Sequence, residues 1–388
     1  MSQVSPSGDA RSLGAMFDRV QAALTAFLAV PPSPVWEGRK IVIYGAGSFG
    51  RSVAGALLKR NAAVLGFLDQ KGTGQTVLGE LRSYSPRSAE AKHWADERPA
   101  ALIGTHNPKV PLQGIARLLQ ETGFTTVVTP MEIYRHLDQE LGWCFWLGNR
   151  RDYEQAATCL DRTRALWADA ESERLFLETL LYRLAFDLEM AATVSGAACQ
   201  YAHPTVPRWS DPLRMVDGGA YTGDTLRSLL GHGYDFASLH AFEPDLENFR
   251  KLRDCVFSLL PKTPSSIWPC GVSSSTDRLK FSEGSGTSSK LCETGSAQVP
   301  VVALDDVLHG QALNLIKLDI EGAELDALQG ARRLIEKNRP GIAVCLYHFP
   351  HHLWAIPLWL AELDLRYRFY YRAHEHCTFE TVLYALPL

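Results

Sequence analysis

Three short segments in the second half of the chain hold residue types that could do chemistry. The first is VDGGAYTGD, from Val216 to Asp224. Glycines after an apolar run let a backbone turn sharply and approach a ligand closely. The helix that follows then points its free amides at that ligand. Loops that cradle a pyrophosphate usually keep a GxGxxG spacing. Here Asp217 and Asp224 flank the turn instead, and two carboxylates repel phosphate. They suit a cation, such as the ammonium and sulfonium of S-adenosylmethionine. The second segment is FEPD, where Glu243 and Pro244 end the next apolar run. An acid at that point accepts hydrogen bonds from two ribose hydroxyls. The candidate cofactor residues are therefore Asp217, Gly218, Gly219, Ala220, Tyr221, Gly223, Asp224, Glu243 and Pro244, together with Asp319. The third segment is IKLDIEGAE, with Asp319, Glu321 and Glu324. Asp319 should sit at a strand tip beside the glycine loop, within reach of both cofactor and acceptor. Glu324 reads as a complement to a helix dipole.

A strand later, LYHFPHH brings Tyr347, His348, His351 and His352, and RAHEHC adds His374 and His376. A hydroxyl is a weak nucleophile and must lose its proton as it attacks. A near-neutral imidazole suits that task, and Asp319 is the other candidate base. Asp319, His348 and Glu321 are accordingly the expected catalytic group. The remaining histidines are expected to be solvated at the mouth of the site. A divalent ion held by Asp319, His348, His351 and His352 is an alternative, although no metal site is expected.

A second glycine loop, GAGSFG, lies near the start of the chain. Gly45, Gly47 and Gly50 have dinucleotide spacing, and Asp69 follows at the end of GFLD. Three readings stand open for it: a nucleotide or nucleotide-sugar site, a nicotinamide site, or an empty scaffold. Tyr84 and Tyr134 lack a lysine four residues on, which counts against a short-chain dehydrogenase.

Positioning these groups takes two α/β sheets. KIVIYG, AAVLGFLD, PAALIG and TTVVTP alternate with helical stretches, which predicts a parallel, doubly wound sheet over 38–135. LRMVDGG, SLHAFEP, NLIKLD and GIAVCLYH repeat the pattern after 210, and YRFYYRAH and FETVLYAL close it as a pair. A preface, 1–37, holds one amphipathic helix from Ala15 to Val30. The stretch 136–209 reads as a helical linker, with two or three helices between 150 and 195.

The second half also resembles a known family. VDGGAYTGDT, HAFEPDLENFRKL, LDDVL, LIKLDIEGAELDALQGA and the tail from CLYHFPHH to ETVLYALP are similar to the FkbM-type S-adenosylmethionine-dependent methyltransferases. The family's loop is closer to VDVGAN, so Gly218 and Tyr221 depart from it. The resemblance covers about 210–388. It implies a seven-stranded class I methyltransferase fold whose last strand is antiparallel. It implies O-methylation of a sugar, a glycan or a natural product. By position, Asp217, Gly219 and Glu243 would hold the cofactor, and Asp319, Glu321 and His348 would face the acceptor. The first half looks like the N-terminal domain of bacterial sugar O-acyltransferases, which implies a nucleotide-sugar there. An oxidoreductase using the first loop, and a non-catalytic assembly protein, are the competing classes.

Composition narrows the field further. With 388 residues, 46% hydrophobic and 21% charged, the chain has the make-up of a folded protein of two or three domains. Its net charge of −4 gives no footprint for nucleic acid. No apolar run reaches the ~20 residues of a membrane helix. The start lacks the basic and apolar stretches of a secretory signal. A cytoplasmic location follows as an expectation, with a small-molecule or glycan acceptor as partner and a homo-oligomer allowed. Eight cysteines without a CxxC pair predict reduced, mostly buried thiols rather than a zinc cluster.

Overall fold

Ile41, Val42 and Ile43 form a β-branched run with no polar side to turn to water. It becomes strand β1 (Ile41–Tyr44), which is buried along its whole length. A computed structural model describes residues 6–29, 33–190, 194–282, 290–291 and 297–388. It divides the chain into two units. The first comprises Met1–Ala157, Arg174–Thr193 and Glu375–Phe379; the second comprises Thr158–Glu173, Val194–His374 and Glu380–Leu388. The stretch 136–209 thus contributes to both. Its helical part forms three helices, Arg150–Tyr153, Ala156–Arg164 and Ala170–Leu184.

In the first unit, β1 is followed by helix Ser48–Lys59, which buries Gly50, Val53, Ala54, Ala56 and Leu57. Small residues here let the helix lie close to the sheet. Strands β2 (Val64–Leu68), β3 (Thr73–Leu78), β4 (Leu81–Tyr84), β5 (Ala100–Ile103) and β6 (Thr126–Val128) complete a six-stranded sheet in the order β3-β4-β2-β1-β5-β6. All neighbours are parallel except β3 and β4. That hairpin is absent from the sequence reading, because its residues alternate weakly and are mostly polar. Its turn is Gly79-Glu80, with Gly79 at φ 55°, the conformation a two-residue hairpin requires. The preface helix runs Pro6–Leu28, starting earlier than expected, and Val30 lies outside the described residues. Leu13, Phe17, Val20, Leu24 and Phe27 form its buried stripe at helical spacing.

The main sheet of the second unit has seven strands in the order β16-β17-β15-β14-β7-β8-β9. They are β7 (Leu213–Gly218), β8 (Phe236–Phe242), β9 (Ser265–Trp268), β14 (Leu315–Leu318), β15 (Gly341–Cys345), β16 (Tyr367–Ala373) and β17 (Thr381–Pro387). Between β9 and β14, a small separate sheet holds β10 (Gly271–Val272), β11 (Asp277–Ser282), β12 (Lys290–Leu291) and β13 (Ala297–Val302). In the main sheet the last strand, β17, runs antiparallel to both its neighbours, as the resemblance implied. β14 pairs with β7 on one side and β15 on the other. The tips of these three central strands therefore lie side by side, on the edge where open α/β sheets bind ligands.

Among the described residues, no helix is long and apolar enough to cross a membrane. Of the seven described cysteines, Cys270, Cys345 and Cys377 are buried and the other four are half-buried, fewer buried than expected. Cys292 lies outside the described residues.

Candidate active site

The glycine loop leaves β7 and passes against the tip of β14. Gly219 has φ 71°, and a Cβ there would lie 1.9 Å from the Asp319 carbonyl oxygen. A Cβ at Gly218 would lie 2.8 Å from Leu318 Cδ2. At Gly219 no other residue fits this crossing, and the Asp319 N–H donates back to the Gly218 oxygen at 3.2 Å. Glu243 ties the far side of the loop. Its Oε2 accepts from the Tyr221 amide at 2.9 Å and its Oε1 from the Asp245 amide at 2.8 Å. Burial pushes the Glu243 carboxyl up to about 7, against the pull of those two amides. Ala220 is buried, Pro244 half-buried, and Tyr221 and Asp224 exposed.

Asp217 has a partner that its sequence position does not reveal. It is buried, and its Oδ1 lies 3.0 Å from Lys317 Nζ. That ammonium also donates to the carbonyl oxygens of Gly219 at 2.8 Å and Gly218 at 3.3 Å. The charge assigned to a sulfonium is therefore matched inside the protein. Lys317 gives no sign of this in sequence, since it looks like one polar residue in a strand.

Across the β14 and β15 tips lies a dense group of acids. Asp319 is about a quarter exposed and is held by two phenols: Tyr201 donates to Oδ2 at 3.2 Å and Tyr347 to Oδ1 at 3.3 Å. His348 is fully buried. Its Nδ1 lies 2.8 Å from Glu324 Oε1, and its Nε2 lies 3.6 Å from both Asp319 Oδ1 and Glu321 Oε2. Burial alone would lower the His348 pKa, but Glu324, Glu321 and Asp319 together raise it to about 10. This corrects the expected near-neutral imidazole. His348 is an imidazolium at neutral pH, with no lone pair to take a proton.

Glu324 is the larger surprise. It is fully buried, accepts from the amides of Ile320 at 2.8 Å and Gly322 at 3.3 Å, and lies 3.3 Å from His352 Nδ1. Burial would raise its pKa, yet His348 and His352 hold it well below the usual carboxylate range. A dipole complement would need none of this. Glu321, with φ 56°, is pushed up to about 8 by burial and by Asp319, Glu324 and Glu380. Glu380 reaches about 7 through burial and Asp319, and takes a hydrogen bond from Gln200 Nε2 at 2.8 Å. His352 and His374 are buried, not solvated; His351 is half-buried. His376 falls in the first unit. Asp319, Glu324 and His348 present donor atoms within 4.8 Å of one another, whereas His351 and His352 do not join that group.

In the first unit, Asp69 mirrors Glu243. Its Oδ2 accepts from the Ala46 amide at 3.1 Å and its Oδ1 from the Lys71 amide at 3.0 Å. Gly45 (φ 104°) and Gly50 are demanded by packing, for a Cβ at Gly50 would lie 2.0 Å from the Gly45 oxygen; Gly47 has open space around it. Asp69→Ala should lower stability by about 1–2 kcal/mol, the cost of an orphaned, part-buried amide. Chemical denaturation of the variant checks this.

Residues 217–371 match the sequence pattern of the methyltransferase FkbM domain. This stretch is an FkbM methyltransferase domain. The crystal structure of methyltransferase FkbM from Methylobacillus flagellatus KT superposes with a TM-score of 0.75 at 22% identity, covering 96% of this chain and 100% of that one. That likeness establishes the fold. An rRNA methylase from Streptococcus thermophilus aligns at a TM-score of 0.30 and 14% identity, over 46% of this chain and 89% of its own. No curated protein matches the sequence. The FkbM domain holds the glycine loop, Glu243, Asp319, Glu321, Glu324 and His348. Gln200, Tyr201 and Glu380, which complete the acidic group, lie outside it.

Proposed function

We propose that the FkbM domain is an S-adenosylmethionine-dependent methyltransferase that acts on a hydroxyl of a sugar, a glycan or another natural product. One observation carries this reading: the carboxylate of Asp319, with part of its surface open, starts from backbone that touches the glycine loop. A proton acceptor and a cofactor loop are thus fixed in contact.

The loop fits the cofactor in two respects. Glu243 is buried at the end of β8, where a ribose would lie, and each of its oxygens takes one amide, leaving room for a diol. Gly219 brings backbone where a side chain would obstruct. The cofactor, when bound, supplies an electrophilic methyl on a sulfonium. The chain's residues do the rest. Tyr201 and Tyr347 hold Asp319 in one orientation, so that it can take the hydroxyl proton as the oxygen attacks. His348 keeps a positive charge 3.6 Å from Asp319 Oδ1. Glu321 is mostly protonated below pH 8 and can donate a hydrogen bond to an acceptor oxygen.

Calorimetry with S-adenosylmethionine and with NAD tests the cofactor. Transfer of a labelled methyl to a panel of alkyl glycosides, read as a mass increase, tests the reaction. Binding of NAD but not S-adenosylmethionine would return the oxidoreductase reading. Glu243→Ala should weaken S-adenosylmethionine binding by about 1–3 kcal/mol, through lost charge-assisted hydrogen bonds. Unchanged affinity in a folded variant would remove Glu243 from the site.

A further inference from the structure

Tyr201 comes from a segment ahead of the FkbM domain, 118 positions before Asp319. Its backbone has φ 65°, a left-handed conformation that a bulky aromatic residue rarely adopts. Such a conformation persists only where the surroundings over-determine it, and such positions cluster at functional sites. The surroundings here do so. The Tyr201 amide donates to the Tyr384 hydroxyl at 3.1 Å, and its carbonyl accepts from Trp209 Nε1 at 2.6 Å. Tyr384 in turn lies 2.8 Å from His374 Nε2. Burial, with the acceptor-side acids adding, raises the Tyr201 phenol well above its ordinary range, so the hydroxyl keeps its proton and donates. Lys317 Nζ sits 5.5 Å from the centre of its ring. One side chain thus touches the lysine that grips the glycine loop and the acid beside that loop.

We infer that Tyr201 is a positioning residue of the methyl-transfer site, contributed from outside the FkbM domain, whose hydroxyl fixes the direction of the Asp319 carboxylate. The inference rests on the reading of Asp319 as proton acceptor. Tyr347 holds Oδ1 from the strand side and Tyr201 holds Oδ2 from the added segment, so neither oxygen can swing away from the loop. Gln200, the preceding residue, grips Glu380 in the same manner. The segment is a two-residue clamp on two acids.

The test is Tyr201→Phe, which removes one oxygen and keeps the ring. In protein labelled with [γ-13C]aspartate, the Asp319 carboxyl resonance, assigned with Asp319→Asn, should move while the other aspartates stay in place. S-adenosylmethionine affinity should remain within about threefold. Turnover on the alkyl glycosides should fall about tenfold with KM little changed, as loss of one hydrogen bond to a charged group predicts. A purely structural role would lower the melting temperature and leave the Asp319 resonance alone. An unmoved resonance overturns the inference. Should Tyr201→Phe fail to fold, [ζ-13C]tyrosine in the otherwise unaltered protein gives the same reading, since the Tyr201 signal must shift in Asp319→Asn. Normal turnover in Asp319→Asn would refute the proton-acceptor reading instead, and the resonance experiment keeps the two failures apart.

Discussion

Asp319→Asn should cut methyl transfer by about 10²–10⁴-fold, the usual loss when a general base is removed. Methyl transfer from a sulfonium is an in-line displacement, and much of the rate comes from aligning oxygen, methyl carbon and sulfur. Asparagine preserves that alignment and the size of the side chain. It cannot accept the hydroxyl proton. Cofactor affinity should change little, since the contact with the loop runs through the Asp319 backbone. Single-turnover kinetics with pre-bound S-adenosylmethionine checks this directly, and near-normal turnover on an acceptor would discard Asp319 as the base. His348→Ala should act differently from the loss of a base. With its pKa at about 10, His348 stays charged across neutral pH, and any fall in rate toward low pH belongs to the carboxyls around it. Removing the imidazolium leaves Asp319, Glu321 and Glu324 to repel one another. The optimum should then move to higher pH, because Glu321 loses the cation that lowers its pKa and keeps its proton longer.

The second large effect is on folding. Glu324→Ala should cost about 3–5 kcal/mol in chemical denaturation at pH 7, the range for breaking a buried ion pair from one side. Its carboxylate lies against two histidines and two amides, so the loss strands all four. The pH dependence has a definite sign. His348 has a folded pKa above its ordinary 6.5, so its contribution is complete below 6.5 and fades as pH rises toward 10. Glu324 has a folded pKa below its ordinary 4.5, so its contribution is complete above 4.5 and fades as pH falls. The gap between the native protein and Glu324→Ala should therefore be widest between about 4.5 and 6.5 and shrink on both sides. Glu321 and Glu380, held at about 8 and about 7, lower the stability of both proteins as pH rises from 4.5 toward those values, and so largely cancel from the gap. A gap of under about 1 kcal/mol, or one that widens from pH 7 to 9, would mean that Glu324 is not the anion of this pair.

Local signals carried most of the fold. β-branched runs, glycines after strands and helical periods need only near neighbours, and they were enough for both main sheets and for the place of β14 beside β7; the antiparallel closing strand came from the family resemblance. The β3–β4 hairpin escaped because its polar residues carry little of the alternation that marks a half-buried strand. The glycine loop, Glu243, Asp319 and His348 were likewise legible, since each stands at the end of an apolar run, where chain direction alone puts it on the ligand edge. Their electrical state was not. Asp217 was matched by Lys317, 100 positions away; Glu324 was placed between His348 and His352; Tyr201 was brought to Asp319 from beyond the domain. Sequence spacing says which residues reach the same edge of a sheet. Charge, protonation and orientation depend on burial and on partners within about 4 Å, and only the packed tertiary structure decides which distant residues those partners are.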